Sequence, residues 1–147
     1  KKYYLCIVHG TLPRPAGRLE GYILKDEAKK QVTVSSRPRP GAKTAVTLYE
    51  TLAVRNGLSL VRCQLITGRT HQIRAQFAAA GHPLLGDGKY GSERQNKRYG
   101  RSYQALYSYR LEFCFTTDAG ALAPLDGQQF QVEQVDFVTE YFPGFSL

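Results

Sequence analysis

Short apolar runs with a period of two dominate the first half of the chain, and a helical period appears clearly only once, near the middle,. "YYLCIVHG" is apolar and β-rich and stops at Gly10. "GRLEGYIL" sets Leu19, Gly21 and Ile23 against charged or polar neighbours, and "KKQVTVSS" is a shorter run of the same kind,. All three predict strands. "SSRPRPGAK" breaks the pattern with proline and glycine and predicts a loop carrying Arg37, Arg39 and Lys43,.

"AVTLYETLAVR" and "LSLVRCQLIT" flank Asn56-Gly57, the strongest two-residue hairpin signal,. A turn there predicts Leu52 opposite Val61, Leu48 opposite Leu65, Glu50 facing Cys63 and Val46 facing Thr67,. The same register sets Tyr49 against Gln64 and Thr51 against Arg62. One face is then mostly apolar and the other mixed, which predicts a sheet with one buried and one wetter side.

"TGRTHQIRAQFAAAGHP", Thr67 to Pro83, predicts a helix. Thr70 is the expected N-cap, Ile73, Phe77 and Ala80 form a core stripe, and Gly81 with Pro83 stops the chain,. His71 and Arg74 fall on a neighbouring stripe, so Arg74 sits between core and open face. A guanidinium there is costly unless an anion meets it. "GDGKYGSERQNKRYGRSYQ" has little periodicity and predicts an exposed basic loop, in which Tyr90, Tyr99 and Tyr103 interleave with Lys89, Lys97 and Arg98. That combination suits phosphate contact and base stacking, although a plain solvated loop has the same composition. "ALYSYRLEFCFTTD" and "ALAPLDGQQFQVE" predict two more strands with Asp126-Gly127 as a turn, and "VDFVTEYFPGF" a short closing element, for which a helix is one option. The whole predicts one α/β domain of the α+β type over residues 1–147: a mixed, mostly antiparallel sheet with one main helix packed on it,.

Composition adds three points. With 147 residues, 42% of them hydrophobic, the chain can bury a core and is not of the disordered class,. No apolar run approaches the roughly 20 residues that span a bilayer, so no membrane is expected. The three cysteines, Cys6, Cys63 and Cys114, are far apart and each lies in an apolar run, which predicts buried free thiols in a reducing, cytoplasmic setting,. The net charge of +8 favours a polyanion, first of all nucleic acid, as partner,. Solubility alone is the plainer explanation of such a charge.

"LITGRTHQIRAQFAAAGHPLLGDGKYG", Leu65 to Gly91, resembles the late signature of the RluA-type pseudouridine synthases, a TGRxHQ(I/L)R run followed by a helix and then GHP, GD and YG. "KYYLCIVHG" resembles the family's K-x-Y-L-x-x-V-x-G strand, and "KTAVTLYE" its K-x-A-x-T-x-Y strand. The resemblance covers essentially the whole chain. It implies isomerisation of uridine to pseudouridine in ribosomal or transfer RNA, without metal or organic cofactor. The base is detached from the sugar, rotated, and rejoined through a ring carbon.

The resemblance assigns Tyr4 to stacking on the uracil and to general-base work, and Arg74 to an ion pair with the catalytic carboxylate. Leu65 and Ile73 would wall the pocket. Arg69 and His71 would brace the turn or meet RNA, and the basic residues Arg37, Arg39, Lys43, Lys89, Lys97 and Arg98 would bind phosphates. Read without the resemblance, Tyr4 is ordinary strand core, Arg74 a surface ion pair, and His71 and His82 structural histidines. Asp87 reads as a turn residue. The family's catalytic aspartate lies in an earlier HRLDxxTSG motif, which these residues do not contain; "GRLEG" is no substitute, since it follows Tyr4, has Glu20 and lacks TSG. The expected domain is therefore the C-terminal part of a catalytic domain, inactive by itself, prone to self-association, with Arg74 left without its anion. "LYS" at Leu106 to Ser108 and "TTDAG" depart from the family's LHA and HP. A non-catalytic basic RNA-binding module is the alternative, and a protein-interaction domain with incidental charge a third reading.

Overall fold

The computed structural model describes residues 1–112 and 120–147. Among the described residues seven strands make one sheet: β1 (Lys2–His9), β2 (Ala16–Asp26), β3 (Gln31–Ser35), β4 (Lys43–Arg55), β5 (Leu58–Leu65), β6 (Leu106–Glu112) and β7 (Gln129–Gln131). Their order is β3-β2-β4-β5-β1-β6-β7, and every described ladder is antiparallel. The helices are α1 (Gln72–Ala79), α2 (Glu93–Tyr99) and α3 (Asp136–Tyr141). The α+β expectation holds, with α1 as the longest helix. Among the described residues no helix is long and apolar enough to cross a membrane.

β1 runs through the interior between β5 and β6, and Leu5 to His9 are all buried. That is the physical sense of its continuous apolar run: both faces of a central strand are covered. Cys6, Val8, Val61 and Cys63 pack against Ile73 and Phe77 of α1. Leu5, Ile7 and Leu60 pack on the other side against Phe137 and Val138 of α3. The expected single wet face is therefore wrong for the sheet centre. Cys6 and Cys63 are buried free thiols with sulfurs 3.9 Å apart, and burial raises the Cys63 thiol. Cys114 and the rest of Phe113 to Ala119 lie outside the described residues.

The hairpin turns where the sequence predicts, with φ of 52° at Asn56 and 77° at Gly57,. The predicted register does not persist. Arg55 pairs with Leu58 and Ala53 with Leu60, as a two-residue turn requires, but a bulge at Leu52 then moves the pairing by one residue. Thr51, not Leu52, faces Val61; Tyr49 faces Cys63; Leu48 faces Gln64. A one-residue slip flips every later side chain. Leu52 and Ala53 can thus pack toward α3 while Tyr49 packs toward α1, its ring edge-on to Phe77 at 5.9 Å.

α1 begins later than predicted. Thr70 does not cap it; the N-cap is His71, in the left-handed region at φ 51° with no side-chain capping bond. Gln72 ties the first turn to the sheet instead. Its side-chain oxygen accepts from the Arg69 amide (3.0 Å) and the Thr67 hydroxyl (2.8 Å). Its side-chain amide donates to the Val46 carbonyl (2.9 Å) and to Thr47 Oγ1 (2.8 Å). Four bonds satisfy the buried amide and fix the start of the helix on β4. Ile73 and Phe77 are buried as expected, while Ala80 is exposed. At the far end the His82 amide bonds Phe77 O and the Gly81 amide bonds Ala78 O, with Gly81 at φ 87°,.

The predicted basic loop contains α2. Ser92 caps it by accepting from the Gln95 amide at 3.3 Å, and Gly100 ends it at φ 69°. Its seven residues carry no apolar period, since the one buried residue is Asn96. Ser92→Ala is expected to cost about 1 kcal/mol, read as a small fall in the urea midpoint with unchanged m-value. The last predicted strand is also shorter than expected: residues 120–125 form a 3-10 turn containing Pro124, and only Gln129–Gln131 pair with β6,.

Candidate active site

The guanidinium of Arg74, on the first turn of α1, meets a carboxylate from its own chain. Nε donates to Asp87 Oδ2 at 2.8 Å and Nη2 to Asp87 Oδ1 at 2.9 Å. The Arg74 side chain is 13% exposed and that of Asp87 0%. The expectation that Arg74 lacks an anion within this chain is thus overturned. Asp87 is a turn residue as well, as its sequence context predicts, because Oδ1 accepts the backbone amides of Lys89 (2.9 Å) and Tyr90 (3.0 Å). Burial alone would raise the Asp87 carboxyl, but Arg74 and these amides outweigh it and hold it below the ordinary carboxylate range,. The bond to Asp87 raises Arg74 in turn, against its own desolvation.

Several groups build this turn. Asn96 Oδ1 accepts the Gly86 amide (2.8 Å), and Asn96 Nδ2 donates to the Asp87 carbonyl (3.1 Å). The buried His9 ring holds Asn96 from behind, with Nε2 2.8 Å from the same Oδ1. An oxygen can only accept, so His9 carries its proton on Nε2. Arg74 lies 5.2 Å from the centroid of the Tyr90 ring, and the Tyr90 hydroxyl accepts the Val32 amide (2.9 Å) while contacting His71 Nδ1 (2.8 Å). Tyr90 is thus part of the frame and not a free stacking ring. Tyr99 donates its hydroxyl proton to the Asn56 carbonyl, and of the three loop tyrosines only Tyr103, 70% exposed, stands open.

In front of Arg74 lies an open cleft of about 360 Å³. Tyr4, Leu65, Ile73 and Leu106 supply its apolar wall, and Arg69, His71, Gln72, Arg74 and Gln104 its polar groups. Six residues singled out from the sequence, Tyr4, Leu65, Arg69, His71, Ile73 and Arg74, therefore come together here. Sequence reasoning missed Gln72, Leu106 and Gln104 as site residues; Leu106 sits opposite Cys6 on β6, and Gln104 gives no signal at all. Burial, with help from Arg74 and Lys89, lowers His71, which favours the neutral ring. Larger hollows lie beside α2 and at the C-terminal end, but neither joins a tyrosine to a buried guanidinium.

The basic residues divide. Arg69 donates Nε to the Thr44 carbonyl (2.7 Å) and links the cleft to a second hollow of about 210 Å³ that it shares with Lys25 and Lys43. Arg37 and Arg39 are exposed on the loop between β3 and β4. Lys89 reaches the Lys30 carbonyl at 2.9 Å. Lys97 and Arg98 sit on α2, lining hollows separate from the cleft. No carboxylate of the described residues lines the cleft; Asp87 is behind Arg74 with both oxygens engaged.

The family model described as RNA pseudouridylate synthase matches residues 1–79. The uncharacterized RNA pseudouridine synthase YhcT of Bacillus subtilis is 41% identical over 93 residues, covering 62% of this chain and 30% of that protein. The ribosomal large subunit pseudouridine synthase D of Zymomonas mobilis is 33% identical over 138 residues, 93% of this chain and 40% of that protein. The chain thus spans only 30% and 40% of the length of these two relatives. Two solved structures share the fold: human RNA pseudouridylate synthase domain containing 1 (TM-score 0.65, 21% identity, 95% of this chain and 64% of that one) and domain containing 4 (0.66, 23%, 92% and 58%).

Proposed function

Because this chain belongs to the RNA pseudouridylate synthase family, we propose that the protein containing it isomerises uridine to pseudouridine in a structured RNA, ribosomal or transfer, in the cytoplasm. These 147 residues act as the C-terminal part of the catalytic domain. They supply the base pocket and the guanidinium, and another segment delivers the carboxylate that attacks the sugar. One observation carries the reading: Tyr4 and Arg74, far apart in sequence, line a single cleft with apolar walls.

The chemistry follows from that lining. The Tyr4 ring offers a flat apolar wall against which a detached uracil can turn without escaping. Its phenol oxygen can take the proton from the ring carbon once the new bond has formed, provided its own hydroxyl proton passes on to water in the open cleft. Arg74 has five N–H donors and gives two to Asp87, so three remain for the incoming carboxylate,. That contact keeps the carboxylate ionised and aimed. Arg69 and Lys43, which share the hollow next to the cleft, would meet the RNA backbone, and the exposed Arg37, Arg39, Lys89, Lys97 and Arg98 would add charge for it.

The test is tritium release from ring-labelled uridine in RNA by the complete protein. Tyr4→Phe is expected to slow release by about 10²-fold or more, the usual range for losing a general base. Alanine at Arg37, Arg39 and Lys43 together should leave the chemistry intact but flatten the salt dependence of RNA binding. The log–log slope should fall by about 0.7 for each phosphate no longer neutralised. Salt-dependent binding without any tritium release would instead favour the non-catalytic RNA-binding module.

A further inference from the structure

Asp87 has no place in the chemistry above, yet its carboxylate, behind the cleft, accepts four hydrogen bonds from three residues. It is fully buried. Both oxygens are engaged by Arg74, and one also by the amides of Lys89 and Tyr90. Gly86 adopts φ 83° beside it, and a Cβ on Gly91 would come within 2.4 Å of the Asp87 carbonyl oxygen, so the turn closes only with glycine at both positions,. Asn96 and His9 anchor the same turn from the core side. A buried ion pair is a poor way to gain stability, since desolvating both charges cancels most of their attraction. What a bidentate pair does provide is a fixed plane: two parallel N–H bonds set both the position and the rotation of the guanidinium.

We propose that Asp87 is a positioning residue of the isomerisation, presetting the Arg74 plane so that its three unused N–H groups meet the attacking carboxylate. This rests on the reading of the cleft given above. The arrangement does two things at once. It spares the reaction the cost of ordering a long side chain when the carboxylate arrives. It also offsets part of the Arg74 charge, so the attacking carboxylate is aimed without being over-stabilised as an anion. The Tyr90 ring beneath the guanidinium closes off the remaining direction of swing,.

The complete protein is assayed by tritium release with Asp87→Asn, Arg74→Ala and the double variant, with thermal melts on each. Asparagine keeps an acceptor for the Lys89 and Tyr90 amides but loses the charge and one bond to the guanidinium. The expected result is a kcat lower by about 10²-fold, the scale of a misplacement near 1 Å, with a much smaller change in KM. The acid limb of the kcat profile should move to lower pH, because the attacking carboxylate then feels Arg74 undiluted; a purely structural role would not move it. Since Asp87 acts through Arg74, the double variant should be no slower than Arg74→Ala alone. A folded Asp87→Asn with undiminished kcat, an unmoved acid limb, or losses that multiply would each overturn the proposal. Should Asp87→Asn not fold, Asp87→Glu takes its place: it keeps the charge but displaces the carboxylate by one methylene, and full kcat there would overturn the proposal equally. If Arg74→Ala itself retains full kcat, it is the reading of the cleft that fails.

Discussion

Arg74→Ala is expected to destabilise the fold by about 3–5 kcal/mol at neutral pH, toward the lower end because Arg74 borders an open cleft that admits water. The reason lies with the residue left behind. Asp87 is 0% exposed, and without the guanidinium its charge is compensated only by the Lys89 and Tyr90 amides. In the unaltered protein the Asp87 carboxyl is held below its ordinary value. The stabilisation is therefore fully present above the ordinary carboxylate pKa of about 3.9 and is lost as the pH falls through the lower folded value. In Arg74→Ala the sign reverses: burial, now unopposed by the guanidinium, pushes the carboxyl up. The deficit should then be largest at neutral pH and shrink as acid protonates Asp87. Denaturation midpoints at about pH 7 and about pH 4.5 distinguish the two regimes. Adding Asp87→Asn to Arg74→Ala should recover most of the lost stability at neutral pH, because no stranded charge remains. A variant that melts equally early at both pH values, or that Asp87→Asn fails to rescue, would mean that the pair is not holding a buried charge. The same experiment guards the functional reading, since a loss of activity in Arg74→Ala has meaning only where the protein is shown to be folded.

What the sequence disclosed, and what it hid, follows from the range of the forces involved. β1 was legible because five consecutive buried residues leave a continuous apolar run, and the hairpin because Asn56-Gly57 is a local turn signal,. The bulge at Leu52 was not. Leu48, Tyr49, Leu52 and Ala53 are apolar or aromatic in both phases of the alternation, so no pattern marks where the phase changes. α2 was hidden for the opposite reason: its residues are polar except for Tyr99 at its end, and only Ser92 with Gln95 three positions on, and Gly100, announced its ends,. In the cleft, the motif from Thr67 to Pro83 brought Arg69, His71, Ile73 and Arg74 together, while Tyr4 and Leu65 joined through the sheet. Asp87 was legible only in its local part, the bonds to amides two and three residues on. Its pairing with Arg74 depends on how the chain after α1 returns across that helix, which no local pattern records.

Gly86→Ala should produce the other large effect, and it connects the scaffold to the chemistry. A Cβ at this position would lie 1.9 Å from the Tyr103 carbonyl oxygen, a distance no packing tolerates, and Gly86 has φ 83°, where an L side chain is strained,. Backbone opposes backbone here, so the segment must move. Strain and overpacking together should cost about 2–5 kcal/mol. For a chain of 147 residues that lowers Tm on the order of 10 °C,. Gly88, two positions on, is the internal control: nothing lies within 4 Å of a Cβ there, so Gly88→Ala should leave Tm nearly unchanged. The functional consequence should exceed the thermal one. Gly86 donates its amide to Asn96 and precedes Asp87 directly, so any retreat from Tyr103 drags the carboxylate that fixes Arg74. At a temperature where the complete protein carrying Gly86→Ala is still fully folded, the proposed isomerisation should remain slowed in the tritium-release assay in the same manner as for Asp87→Asn. A folded Gly86→Ala protein with normal kcat would mean that the turn can shift without disturbing the guanidinium, and Asp87 would then be no more than a staple of the fold.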